Sequence, residues 1–222
     1  MDKAELPSLE SGIWNLESKS MKLVLATKNA GKIAEMKAIL ARPGVEVLSL
    51  DDLPGEPPEV VEDGDTFVYN ARKKALEIAR WSGLASMSDD SGLVVDSLGG
   101  DPGVHSSRYA GEEGDMEANM DLLLLRLKGV PEEKRAAYFI SVISMAHPDG
   151  RTWETEGRVH GIITHARVGD GGFGYDPVFF YPPTGLTFAQ MGVEGKNKVS
   201  HRSQALRNMA ELLPAIEKEL EK

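Results

Sequence analysis

The chain has 222 residues, 41% hydrophobic and 27% charged, enough to bury a full core within one globular domain. Its 35 acidic residues outnumber 25 basic ones, for a formal charge of -10, which argues against a nucleic-acid polymer as partner, because that affinity comes from many Lys and Arg side chains displacing counterions. The absence of cysteine excludes disulfides, thiolate metal sites and cysteine nucleophiles, and no stretch approaches the ~20 apolar residues of a membrane span, so no membrane association and a cytoplasmic location are expected.

Residues 1–20 are polar and acidic, with only Ile13, Trp14 and Leu16 able to dock, and without the basic start and apolar run of a signal peptide. They read as a poorly ordered extension ahead of a single domain over 21–222. Lys22–Thr27 is a short apolar run that predicts a buried strand, and Ile33, Met36, Ile39 and Leu40 then share one helical face. After Pro43 and Gly44 a second strand is predicted over Val45–Leu50, followed by a loop, residues 51–65, whose prolines and carboxylates forbid regular structure. A loop of that length is either disordered or functional.

From Thr66 to about Trp81 a helix is predicted from Phe67, Ala71, Ala75 and Ile78. Lys74 falls inside that apolar stripe, either snorkelling to water or aimed as a charge into a cleft. LASMSDDSGLVVDSLGG (residues 84–100) reads as a strand, a turn at Asp89 and Asp90, and another strand. Asp115–Lys128 is a Leu-rich helix, and residues 136–164 form a long antiparallel hairpin about the turn PDGR, which makes the sheet mixed. Past a Gly-rich segment, a last helix begins near Ser200 and carries Ala205, Leu206, Met209, Leu212 and Leu213, with Pro214 kinking or ending it.

Four segments could carry chemistry. TKNAGK (Thr27, Lys28, Asn29, Ala30, Gly31, Lys32) stands where a strand hands over to a helix, a place where free N–H groups and the helix dipole favour an anion such as phosphate. It is not a Walker A loop, which would need Gly at Ala26 and Ser or Thr at Ile33. Asp89 and Asp90, with Ser91 and Gly92 after them, place two carboxylates together, and a hard cation such as magnesium would relieve their repulsion, with Glu62 or Asp63 as a further ligand. GDGGFG (residues 169–174) fits a dinucleotide pattern by spacing, but Tyr175, Asp176 and Pro177 follow instead of a helix; a turn that holds Phe173 beside Asp176 suits a nucleobase, or is a turn with a core Phe. KNKVSHRSQAL sets Lys196, Lys198, His201 and Arg202 around the start of the last helix, with Ser200 as cap. Cations there oppose the dipole unless an anion or an electron-rich acceptor is bound.

LATKNAGK, EDGDTFVYNARKKA, SDDSGLVVDSLGGDPGVHSSRYAG, GGFGYDP and EGKNKVSHRSQAL, in this order between Met21 and Leu213, resemble the inosine and xanthosine triphosphate pyrophosphatase family. The resemblance implies an elongated α/β fold, a mixed sheet flanked by helices with two lobes around a central cleft, a homodimer, magnesium, and hydrolysis of ITP, dITP or XTP to the monophosphate and pyrophosphate. Carried onto matching positions, it gives Thr27, Asn29, Lys32 and Lys74 to the triphosphate, with Lys28, Ala30 and Gly31 in the same loop. Glu62 and Asp90 go to the metal, with Asp89 in support, and Asp90 is the proton acceptor. Ser91 contacts substrate, Phe173 stacks on the base, Gly174, Tyr175 and Asp176 shape its pocket, and Lys196, His201 and Arg202 read the purine edge. The ordinary aspartate pKa of ~3.9 leaves open whether Asp90 or a metal-bound hydroxide is the base. A non-catalytic magnesium-nucleotide binding module is the alternative. Lys32, Asp90, Phe173 and Arg202 are expected to line one cavity.

Overall fold

The structure, a computed structural model, describes residues 14–15 and 20–220. Most of the 1–20 extension lies outside the described residues; within it, β1 (Trp14–Asn15) pairs antiparallel with the start of β2 (Ser20–Leu25). There follow α1 (Ala30–Leu40), β3 (Val45–Leu48), α2 (Phe67–Ser82), β4 (Ala85–Val95), α3 (Met116–Arg126), β5 (Ala136–Ala146), β6 (Thr152–Ile163), β7 (Phe179–Tyr181), β8 (Leu186–Thr187), α4 (Phe188–Val199) and α5 (His201–Leu220). The strands form one sheet in the order β1-β2-β4-β5-β6-β7-β8, with β3 on β2. β2 is parallel to both β3 and β4, and every pairing from β4 to β8 is antiparallel, so the sheet is mixed as expected.

Successive residues of a strand face opposite sides, and β2 serves both. Met21, Leu23 and Leu25 pack with Met36 and Leu40 of α1 and with Ala205, Leu206, Met209 and Leu213 of α5, whereas Val24 and Ala26 pack with Ile78 of α2 and Leu84. The chain therefore leaves β2 through α1 on one face and reaches β4 through α2 on the other. Where neighbouring parallel strands send their connections to opposite faces, a crevice opens at their carboxyl ends. The ends of α1 and α2 that border it are fixed by caps: Asn29 Oδ1 accepts from Lys32 N at 3.1 Å, and Thr66 Oγ1 from Tyr69 N at 3.1 Å.

β4 and β5 each cross two cores. Ala85 and Met87 with Ile143 and Met145 belong to the cluster under α1 and α5, while Leu93 and Val95 with Ala137 and Phe139 belong to a second one with Leu123 and Leu127 of the α3 region and with Phe179 and Phe188. The predicted turn at Asp89 and Asp90 is absent, because β4 pairs with β5 without a break from Ser86↔Ala146 to Val95↔Ala137. Asp-Asp-Ser-Gly has the composition of a turn, but the facing Ile140–Ile143 stretch of β5 supplies a ladder partner for each residue.

Two further expectations change. Pro214 neither ends nor splits the last helix, which runs to Leu220 with the proline on its exposed side. The basic segment before that helix is itself helical: Lys196 and Lys198 occupy the last turn of α4, the end at which the dipole favours cations, so they are not set against it. Ser200 does cap α5, its Oγ accepting from Ser203 N at 3.1 Å. β6 admits the start of α5 through Gly157, where a Cβ would lie 2.1 Å from the His201 carbonyl oxygen.

Candidate active site

The two aspartates point to opposite faces of the sheet, as adjacent strand residues must. Asp89, wholly buried, faces α1 and α5: Arg202 Nε donates to its Oδ2 at 3.0 Å, Ser91 Oγ donates to the same oxygen at 3.0 Å, and Lys32 Nζ lies 3.0 Å from Oδ1. Burial alone would raise its pKa, but Lys32, Arg202 and Lys74 overcome it and hold the carboxyl far below the ordinary range. Paired with Lys32 and Arg202, Asp89 organises the site from the face of β4 opposite Asp90.

Asp90 faces α2 and the loop ahead of it. Ser91 N donates to its Oδ1 at 2.9 Å, and its buried Oδ2 has no partner among the described residues. Burial, then the charge of Glu62, pushes its pKa up to about 6 against the pull of Lys74 and Asn70; Asp89 adds only a minor repulsion. The strain between carboxylates is thus between Glu62 and Asp90, not between the neighbours in sequence. Lys74, the lysine in the apolar stripe, turns inward and pairs with Glu62. Burial opposes its charge, yet Asp89, Glu62 and Asp90 together keep its pKa above the ordinary lysine value. Arg108 Nη2 donates to the Glu62 carbonyl oxygen at 3.2 Å and Lys73 pairs with Asp63 at 2.7 Å, so the segment holding Glu62 is strapped to the body of the protein and Asp63 points away to solvent.

No group of three or more His, Cys, Asp or Glu side chains among the described residues is arranged to hold a metal ion. The pair Glu62 and Asp90 still fits magnesium. That cation keeps several waters and commonly takes one or two carboxylates plus substrate phosphates, and an unpartnered buried oxygen on a carboxyl with a raised pKa is relieved by a proton or a cation.

Thr27, Lys28, Lys32, Glu62 and Lys74 line a cavity of about 490 Å³, whose outer wall is the loop from Glu56 to Val60. The long acidic loop is therefore a wall of the site. Thr27 Oγ1 accepts from Asn29 N at 3.2 Å, Lys28, Asn29, Ala30 and Gly31 are exposed, and the first intrahelical bond of α1 is donated by Ile33. The N–H groups of Ala30 and Gly31 precede that bond and are placed for an anion.

At the other end Phe173 stands on the Gly-rich turn with 61% of its surface exposed. Asp176 Oδ2 holds the turn by accepting from Phe173 N at 3.0 Å and from Lys196 Nζ at 2.6 Å. A Cβ on Gly172, at φ 77°, would lie 2.2 Å from that same oxygen, so the turn requires glycine. Gly174 also takes a positive φ, 63°, and Tyr175 supports the turn from below through its hydroxyl, which donates to Ser106 O at 2.9 Å. Lys196 Nζ is 3.9 Å and the Arg202 guanidinium 5.9 Å from the Phe173 ring centre. Burial lowers the Lys196 pKa, with Asp176 opposing. His201 stacks on Phe139 at 4.8 Å, its Nδ1 unpartnered among the described residues, and burial beside Arg202 and Lys196 holds it neutral.

The model of the Ham1 family matches residues 23–212. The chain belongs to the Ham1 family. Over 193 residues, 87% of this chain and 96% of the relative, it is 49% identical to a dITP/XTP pyrophosphatase of Desulforamulus reducens. Among solved structures it is similar to a HAM1 protein from Coxiella burnetii (TM-score 0.81, 34% identity, 87% of this chain and 98% of that one) and to a nucleoside-triphosphatase / dITP/XTP pyrophosphatase from Mycobacterium abscessus (TM-score 0.73, 43% identity, 85% and 98%). Relatives named as enzymes give the non-catalytic alternative no support.

In this Ham1-family chain the predicted residues fall into two groups bridged by Asp89. The cavity takes in Lys32 but not Asp90, Phe173 or Arg202, so the expectation that all four line it is not met. Three of them are joined by contact through Asp89 instead: Lys32 to Asp89, Asp89 to Arg202, and Arg202 to the Phe173 ring, while Asp90 stands on the other face of β4. The reason is that Arg202 and Asp90 are packed into the floor, each less than a tenth exposed. Sequence reading missed Glu35, which accepts from Arg202 Nη1 at 3.1 Å and stands 3.4 Å from Ser200 Oγ. Its position three residues after Lys32, on the same side of α1, was the available signal.

Proposed function

We propose that the protein hydrolyses the non-standard purine nucleoside triphosphates ITP, dITP and XTP to the monophosphate and pyrophosphate. The observation that carries the reading is the continuous chain of charge from Lys32 through Asp89 to Arg202, which joins an anion-binding helix start to an exposed aromatic face beside two cations. Membership of a family with dITP/XTP pyrophosphatases among the relatives supports the same substrates.

In this reading the start of α1, with Thr27, Asn29, Ala30, Gly31 and Lys32, receives the triphosphate, and Lys74 exchanges Glu62 for a phosphate oxygen. Glu62 and Asp90 hold magnesium, which when bound neutralises charge on the phosphates. Asp90 orients the attacking water and accepts its proton, a role for a buried carboxyl beside the metal position. Lys32 and Lys74 stabilise negative charge developing on the phosphate oxygens. Ser91, turned toward Asp89 and Ser141, supports the aspartate from the far side.

The base stacks on Phe173, and Arg202 reads its edge with Nη2, because Nε and Nη1 are committed to Asp89 and Glu35. Hypoxanthine and xanthine offer an acceptor oxygen at position 6, whereas adenine offers an amino donor. The mismatch disfavours ATP by up to ~10⁴-fold. The homodimer implied by the resemblance and the cytoplasmic location expected from the lack of cysteine belong to the same proposal; no helix among the described residues is long and apolar enough to cross a membrane. Incubation with ITP and magnesium, followed by product analysis, tests the function: IMP and pyrophosphate are expected, and release of orthophosphate would refute it.

A further inference from the structure

The first turns of α2 bury an amide that none of the steps above uses. Asn70 is 1% exposed and lies beside Ala71, which belongs to the core. Asn is a poor helix former, and a buried amide without partners is unfavourable, so packing alone would favour an aliphatic residue here. The side chain bonds instead to a single residue of the strap: Gly64 N donates to Asn70 Oδ1 at 2.8 Å, and Asn70 Nδ2 donates back to Gly64 O at 3.3 Å. The same amide also favours the ionised form of Asp90. Gly64 completes the fit, since a Cβ on it would stand 2.1 Å from Tyr69 Cδ1 and 2.8 Å from Asn70 Oδ1. Two independent choices in the sequence, a missing side chain and a buried amide, thus press the strap onto α2 at one point.

That point is two residues from Glu62. Two residues span at most ~7 Å of chain, so fixing Gly64 confines Glu62 to a small volume, and the Arg108 bond to its carbonyl oxygen sets the direction in which its side chain leaves the backbone. We propose that Asn70 is a positioning residue: by clamping Gly64 it keeps the Glu62 carboxylate facing Asp90 as the second protein ligand for a divalent cation. The proposal rests on the reading of this site as a metal-dependent pyrophosphatase. Supporting groups of this kind, when removed, cost roughly tenfold to a hundredfold in metal affinity.

Binding of Mn²⁺ in the presence of the α,β-methylene analogue of ITP, read from the free-ion signal in electron paramagnetic resonance, tests it. Asn70→Ala and Gly64→Ala are each expected to weaken Mn²⁺ binding by roughly tenfold, with metal-free affinity for the analogue within about twofold of wild type. A merely structural role would move both affinities together. Should Asn70→Ala fail to fold by circular dichroism, Gly64→Ala breaks the same clamp from the loop side and decides alone. Mn²⁺ affinity within twofold of wild type in a folded variant overturns the proposal. A wild-type protein that leaves ITP intact would instead sink the functional reading beneath it.

Discussion

Asp90 combines burial, a pKa pushed up to about 6 and an oxygen with no partner among the described residues. Replacing it by Asn preserves shape and removes the proton acceptor, so Asp90→Asn is expected to lower ITP turnover by ~10²- to 10⁴-fold. Equilibrium binding of the triphosphate should change much less, and parallel loss of both would count against the assignment. Glu35 makes a different prediction, because it holds one of the two nitrogens that fix the Arg202 plane. Glu35→Gln removes a charge-assisted bond worth about 1.5 kcal/mol, so the ratio of kcat/KM for ITP over ATP should fall roughly tenfold. An unchanged ratio would mean that Arg202 is held by Asp89 alone. Both residues show the limits of reading a sequence. Lys74 was legible as a charge inside an apolar stripe, but that Asp89 and Asp90 diverge to opposite faces follows only once β4 is known to run straight through them. A cation at the aspartates and a base on Phe173 followed from charge and turn chemistry, whereas Glu62 over Asp63, Asp90 as proton acceptor and the purine-edge contacts came from resemblance to a family.

At the scale of elements, helical periodicity located α1, α2 and α3, and turn chemistry located the β5–β6 hairpin. α4 went unseen because its sequence, with two glycines and five polar residues, carries little apolar signal, and Gly192, at φ 68°, kinks it; the part before the kink is held by the Thr187 cap and by the burial of Phe188 and Ala189. Pro214 does not end α5: it lies on the exposed side, where the carbonyl that loses its N–H partner is open to water. The contact between α5 and β6 is more demanding. Gly157→Ala would place a methyl group 2.1 Å from the His201 carbonyl oxygen and 2.6 Å from Ala205 N, forcing the helix that bears Arg202 off the sheet. A loss of about 3 kcal/mol, or roughly 6–12 °C in Tm for a chain of this size, is expected by thermal denaturation, together with weaker ITP binding. A variant of wild-type stability would show that the helix can shift without penalty.

For the whole molecule, the balance of charge makes stability depend on pH through a buried base. Burial, with Arg202 and Lys196 beside it, holds His201 well below its ordinary pKa. The unfolded chain takes up that proton near pH ~6.5 while the folded chain does not, so the His201 contribution is full above that pH and falls below it, by up to ~1.4 kcal/mol per pH unit, offset in part below pH about 6 by Asp90, which is protonated first in the folded chain. Tm measured between pH 7 and pH 5.5 should decline in the wild type and decline less in His201→Gln; equal slopes would remove His201 as the cause.

The passage of β4 and β5 through both hydrophobic clusters has one more result. Because the same two backbones rivet both halves, neither half can melt while the other stays intact, and heat should produce one cooperative transition, with calorimetric and van't Hoff enthalpies in agreement. The amides of Asp89 and Asp90, at the midpoint of that shared seam, should then exchange with deuterium only through global opening, so the chemistry survives as long as the fold does and no longer.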